Sequence, residues 1–258
     1  MNDDQAYEFL LEDSGKKYPR TNRRNKSKKE KRNSQKEESV SLRLNEIYPK
    51  TENQHIAFAA YRDFHLMLHG YAGTGKTMIS MYLGLNDVLE NNSEKTKIVI
   101  VRSVVPTRDM GFLPGSQAEK MAVYEAPYKD ICKRLFGRSD AYELCKKKGL
   151  IEFMSTSFIR GITLSDCIVI VDEMQNLDGG ELDSIITRIG ENCKIIMCGD
   201  YKQTDFDHFT EKEGLKKFMK VIRSMRKFKF IEFGKEDILR SDIVKDYILE
   251  KDRQKVEF

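Results

Sequence analysis

Gly70-Tyr71-Ala72-Gly73-Thr74-Gly75-Lys76-Thr77 is a complete G-x-x-x-x-G-K-T octamer, and its setting decides the fold. The apolar run Phe64-His65-Leu66-Met67-Leu68 before it reads as a short buried strand. Met78-Ile79-Ser80-Met81-Tyr82-Leu83-Gly84-Leu85 after it suits a buried helix. A loop between a strand and a helix N-terminus aims several backbone N–H groups and the positive end of the helix dipole at one spot. Glycines let that backbone close around a polyphosphate, Lys76 reaches the terminal phosphates, and the Thr77 hydroxyl suits Mg²⁺. The competing reading is a glycine-rich turn followed by a chance Lys-Thr. It loses ground once a second half of the site is found.

That second half is Cys167-Ile168-Val169-Ile170-Val171, which ends in Asp172-Glu173. A short run of β-branched residues with no polar alternation reads as a central parallel strand buried on both faces. Carboxylates at its C-terminal end stand where open α/β sheets hold their ligands. Asp172 is suited to holding Mg²⁺ through its water shell, and Glu173 to accepting a proton from an attacking water. Taken alone they are a solvated acidic strand end; with the octamer upstream, nucleoside triphosphate hydrolysis becomes the expectation.

A third strand candidate, Lys194-Ile195-Ile196-Met197-Cys198, leads into Gly199-Asp200-Tyr201-Lys202-Gln203-Thr204-Asp205. A glutamine just beyond a strand adjacent to the catalytic one can touch both the γ-phosphate and the water. Gln203 is the candidate, and an ordinary loop amide is the alternative. Upstream, Asn53-Gln54 precedes a helix expected over residues 56–64. The Gln54 amide can match an adenine edge, and Tyr48 or Tyr61 can stack on the base. Arg102 ends the strand expected over 98–101, where it can face a nucleic-acid strand or make an ion pair. A long helix is expected over 117–136, interrupted at Pro127, with Lys129, Lys133 and Arg134 on a solvated face. Further strands are expected over 151–154 and 228–233, and helices over 181–189 and 242–253.

Composition bounds the rest. A chain of 258 residues accommodates one core plus a tail rather than two motor domains. No apolar run approaches the ~18–20 residues of a membrane span, and the acidic N-terminus lacks a secretory signal's basic and apolar regions. The five cysteines lack any C-x-x-C pair and sit mostly in apolar contexts, which points to buried reduced thiols in a cytoplasmic protein. Residues 1–40 hold 11 Lys/Arg against 8 Asp/Glu. Their acidic start gives way to a basic block over 16–36 broken only by Glu30. With no apolar periodicity, that tail is expected to be disordered, leaving residues 41–258 as the globular domain. A basic tail on a nucleotide-hydrolysing domain favours nucleic acid as a partner over simple solubility.

Together these residues resemble the PhoH-like family, single-core ATPases related to the first motor domain of superfamily 1 helicases. The likeness rests on Asn53-Gln54, the octamer, Arg102-Ser103 and Gly111-Phe112-Leu113-Pro114-Gly115. It continues through Arg160-Gly161, Thr163-Leu164, Asp172-Glu173 with Gln175-Asn176, and Thr187-Arg188-Ile189-Gly190. Gly199-Asp200 with Gln203 and Asp205, and Asp237-Ile238-Leu239-Arg240, complete it. Met174, Ile162 and Ser241-Asp242 depart from the family pattern, and Ile162 weakens any inference of strand contacts in its loop. The resemblance implies a RecA-like α/β P-loop fold, a mainly parallel sheet with helices on both faces. It also implies ATP hydrolysis with Mg²⁺, a ring of copies that is expected to be hexameric, and RNA or single-stranded DNA as partner, with Arg102, Arg160 and Arg188 as candidate contacts.

Phosphoryl transfer needs positive charge on the γ-phosphate, commonly from an arginine. A neighbouring copy is the expected donor, with Arg240 first and Arg188 second. Two other classes stand beside the ATPase. A P-loop kinase would carry a lid of arginines and lack the glutamine after Gly-Asp. An ATP-gated adaptor or switch would turn over slowly, unaffected by nucleic acid.

Overall fold

The computed structural model describes residues 42–90, 92–104, 117–200 and 213–254. The basic tail, the Gly-Phe-Leu-Pro-Gly segment, Gln203 and Asp205 lie outside the described residues.

In chain order the elements are α1 (Glu52–Ala60), β1 (His65–Gly70), α2 (Lys76–Leu89), β2 (Lys97–Arg102), α3 (Gln117–Phe136), α4 (Ala141–Lys147), β3 (Ile151–Ser155), β4 (Cys167–Val171), α5 (Gly179–Ile186), β5 (Lys194–Gly199), α6 (Glu213–Ser224), β6 (Phe228–Phe233) and α7 (Asp242–Arg253). Six strands form one sheet in the order β3-β2-β4-β5-β1-β6, with every pairing parallel. The strand expected beside the catalytic one, β5, pairs with β4 and also with β1. It therefore separates the strand that feeds the phosphate loop from the strand that ends in Asp172-Glu173. This is the RecA-like α/β arrangement.

The apolar runs are continuous because both faces of the sheet are covered. On one face Met67, Val99, Val169, Val171, Ile195 and Met197 pack with Leu182 and Ile185 of α5 and Leu215, Met219 and Ile222 of α6. On the other, α2 lies so near the sheet that a Cβ on Gly84 would sit 3.0 Å from Ile98 Cδ1. Phe58 of α1 stacks on Tyr82 of α2 at 5.7 Å between ring centroids, and Tyr128 of α3 meets Phe153 of β3 at 5.7 Å.

Some boundaries differ from expectation for local reasons. Helix α1 begins at Glu52, not at 56, because Thr51 caps it by accepting from Gln54 N, which puts Asn53 and Gln54 inside its first turn. Helix α5 begins at Gly179, not at 181, under an Asp178–Glu181 capping box. Strand β1 runs on to Gly70 because it pairs with β6 as far as Phe233. All five cysteines carry free thiols, four of them buried. Burial pushes Cys132 and Cys167 up to about 12.

Candidate nucleotide site

All strands point the same way, so the ends of β1, β4 and β5 meet at one edge of the sheet, around a cavity of about 670 Å³. The phosphate loop forms its floor. Gly73 and Gly75 have φ of +77° and +86°, and Gly75 caps α2 with no side chain of its own. The first amides of α2 are thereby left bare toward the cavity, an arrangement suited to anions.

Lys76 is the first residue of α2 and is buried. Its ammonium donates to Tyr71 O at 2.6 Å, Thr74 Oγ1 at 3.2 Å and Gly70 O at 3.4 Å. It also pairs with Asp200 at 2.7 Å. Thr77 Oγ1 donates to Asp172 Oδ1 at 2.9 Å. A hydroxyl and a carboxylate this close, on two elements, form the hard oxygen set that Mg²⁺ prefers.

Glu173 follows Asp172 with φ +52° and ψ +45°, a left-handed conformation uncommon for a residue with a Cβ. Its Oε2 accepts from Gln175 Nε2 at 2.5 Å, and Gln175 Oε1 accepts from Asp200 N at 3.0 Å. One side-chain amide thus ties the end of β4 to the end of β5. Burial, then the Asp172 and Asp200 carboxylates, push the Glu173 carboxyl above its ordinary value, with Arg102 opposing. That direction suits a group meant to take up a proton. Burial also raises Asp172, against hydrogen bonds from Tyr128 and Thr77.

Arg102 lines the cavity, among these carboxylates. Burial works against its charge, but Tyr128, Glu173 and Asp172 more than offset that and raise it. Arg102 thus stands close enough to Glu173 and Asp172 for their charges to act on it. Tyr128, which the sequence reading did not single out, is fully buried on α3 and donates to Asp172 Oδ2 at 2.8 Å. No sequence signal marks it: it is one tyrosine on a helix of mixed polarity. Arg134, expected on a solvated face, also lines the cavity, while Lys129 pairs with Glu143 at 2.6 Å.

Gln54 lines the cavity and is buried, with both ends of its amide engaged. Its Nε2 donates to Thr74 O at 3.0 Å, and its Oε1 accepts from Lys50 N at 2.8 Å. Asn53 beside it donates to Asp237 Oδ2 at 2.7 Å, joining α1 to the segment after β6. Of the two stacking candidates, Tyr48 lines the cavity. Tyr61 instead donates to Asp87 at 2.8 Å, under Lys194.

Arg240, expected to act on a neighbouring copy, has a place beside its own phosphate loop here. Arg240 lines the cavity of its own chain. It lies so close over Gly73 that a Cβ there would meet its Cγ at 2.7 Å and its Nε at 3.0 Å. Leu239 N donates to Gly73 O at 3.1 Å, which straps this segment onto the loop. Arg188 is elsewhere. It adjoins the Leu164–Ile189 bridge, which precedes both β4 and β5, so it lies at the edge where the strands begin. Arg160 is exposed beyond the single turn Thr156–Phe158 that follows β3.

A family profile described as PhoH-like protein matches residues 46–250. Protein PhoH of Escherichia coli K12 is 34% identical over 174 residues, 67% of this chain and 48% of that protein. The PhoH-like protein of Bacillus subtilis 168 is 32% identical over 210 residues, 81% of this chain and 65% of that one. This chain therefore spans about half to two thirds of the length of these relatives. Among solved structures, the Pyrococcus furiosus Hef helicase domain is similar with a TM-score of 0.45 and 14% identity, over 72% of this chain and 39% of that chain. The profile spans most of the sequence, and the chain belongs to the PhoH-like protein family.

Proposed function

We propose that this chain is a cytoplasmic Mg²⁺-dependent ATPase that works on RNA or single-stranded DNA as a ring of copies. The observation that carries the hydrolytic part is the meeting of Lys76, the Thr77–Asp172 pair and the conformationally strained Glu173 around one cavity. Mg²⁺ held by Thr77 and Asp172 would supply positive charge to the phosphate oxygens.

The chain's own residues do the rest. Lys76 exchanges backbone partners for phosphate oxygens, and the bare amides of α2 hold the same group. Gln175 occupies one oxygen of Glu173, which leaves the other to take the proton of the water attacking the γ-phosphorus. Arg240, over Gly73, adds charge from within the same chain. Gln54 supports adenine recognition by its place in the cavity wall, though it must share its amide with Thr74 and Lys50.

Nucleic acid as partner is supported by the basic block over residues 16–36 and by family membership. A ring is supported by the apolar face of α7, where Ile243 is 79% and Tyr247 58% exposed beside the Leu239–Arg240 strap. The decisive measurement is phosphate release by the protein alone, with single-stranded RNA, and with single-stranded DNA. Wild type should release phosphate and be accelerated by one strand type, whereas Glu173→Gln should bind ATP without turnover. Glu173→Gln turning over at the wild-type rate removes Glu173 from the chemistry. Turnover indifferent to both strands favours an ATP-gated switch.

A further inference from the structure

Asp172 is held at both oxygens from two separate elements. Thr77 of α2 donates to Oδ1 at 2.9 Å and Tyr128 of α3 donates to Oδ2 at 2.8 Å. The Arg102 guanidinium lies near both the Tyr128 hydroxyl and the Asp172 carboxylate, so its positive charge stands behind this pair. A buried tyrosine ordinarily finds some hydrogen-bond partner, and any nearby carbonyl would serve that need. Here the partner is the one carboxylate that faces the phosphate-loop threonine. The geometry is well fixed: the ring is fully buried against Phe153, and α3 forms a wall of the cavity through Pro127 and Asp130.

We infer that Tyr128, backed by Arg102, is a positioning residue for cation-dependent nucleotide binding. It fixes the plane of the Asp172 carboxylate so that Oδ1 stays turned toward Thr77. Outer hydrogen bonds of this kind orient a ligand, and their removal costs typically ~10–100-fold in affinity for the ion. The inference rests on the reading of Thr77 and Asp172 as the Mg²⁺ pair. It adds that a third element, α3, sets the affinity of that pair. A wall of the nucleotide cavity then tunes the cation site through one hydroxyl.

The test uses Tyr128→Phe in the full chain, which keeps the ring and removes one oxygen. Binding of a fluorescent ADP is titrated with Mg²⁺ and repeated in EDTA, alongside urea unfolding. The variant should bind ADP in EDTA within about twofold of wild type, yet need roughly 10-fold more Mg²⁺ for half-saturation. Mn²⁺, which nitrogen and oxygen sites generally bind more tightly than Mg²⁺, should narrow that gap. Unchanged Mg²⁺ half-saturation with a lowered unfolding midpoint makes the hydroxyl merely structural and overturns the inference. Arg102→Gln keeps the phenol and should raise the Mg²⁺ requirement as well; wild-type behaviour there overturns the backing role, whatever the folding of the phenylalanine variant. Wild-type ADP binding indifferent to Mg²⁺ would instead sink the Thr77–Asp172 reading itself, and this inference with it.

Discussion

Replacing Gly70 by alanine should unfold the protein far more readily than the same change at Gly149, though both glycines have left-handed φ. At Gly149, φ is +72° and a Cβ would meet nothing within 4 Å, so only the backbone cost of about 1–2 kcal/mol applies. At Gly70, φ is +119° and the Cβ would lie 2.2 Å from Phe233 O and 2.8 Å from Phe233 N, both main-chain atoms of β6. Neither can swing aside as a side chain would. The end of the β1–β6 pairing must open, and Tyr71 N loses its 3.0 Å bond to Phe233 O. Strain of about 1–3 kcal/mol and a lost hydrogen bond of about 1 kcal/mol, with its carbonyl left short of a donor, add roughly 2–4 kcal/mol to the backbone cost shared with Gly149. The gap between the two variants is then about 2–4 kcal/mol, or very roughly 4–16 °C in Tm for a domain of this size. Urea unfolding followed by circular dichroism, without nucleotide, measures it directly. Gly70→Ala losing no more stability than Gly149→Ala would refute the reasoning. The first glycine of the octamer would then be required by the ligand rather than by strand β6.

Two further outcomes follow from the same geometry. Arg240→Ala should lower turnover by something like the ~10³–10⁵-fold attributed to arginines at this chemistry. Subunit-exchanged mixtures with Lys76→Ala should stay inactive, because Arg240 covers its own loop and no mixed assembly then holds a complete site; recovered activity would show donation between copies. His65 is held down to about 4 by burial, then by Lys194 and Lys227, and its Nδ1 accepts from Ile195 N at 3.2 Å. The unfolded chain takes up this proton near pH 6.5 and the folded chain refuses it until about 4, so stability present above pH 6.5 is lost as pH falls through that window. His65→Asn should flatten the pH dependence of the unfolding free energy there, and an unchanged slope would remove His65 as its cause.

The sequence by itself determined the phosphate loop, the catalytic strand and its two carboxylates, and nearly every strand of the sheet. These features are local. The octamer is contiguous, and a strand buried on both faces announces itself as an unbroken apolar run wherever it lies in the sheet. The Asp178-x-x-Glu181 capping signal was equally present in the chain, and with Thr51 it accounts for the helix starts that periodicity alone misjudged. Only the tertiary structure decided that β5 lies between β1 and β4, and that Arg240 covers Gly73 of its own chain. Only there does Arg102 come near the carboxylates, and Tyr128, 44 residues away along the chain, reach Asp172. Each of these depends on how distant segments pack. A buried hydroxyl or guanidinium takes whatever charged partner the fold brings within about 3 Å, and residue spacing along the chain carries no record of that choice.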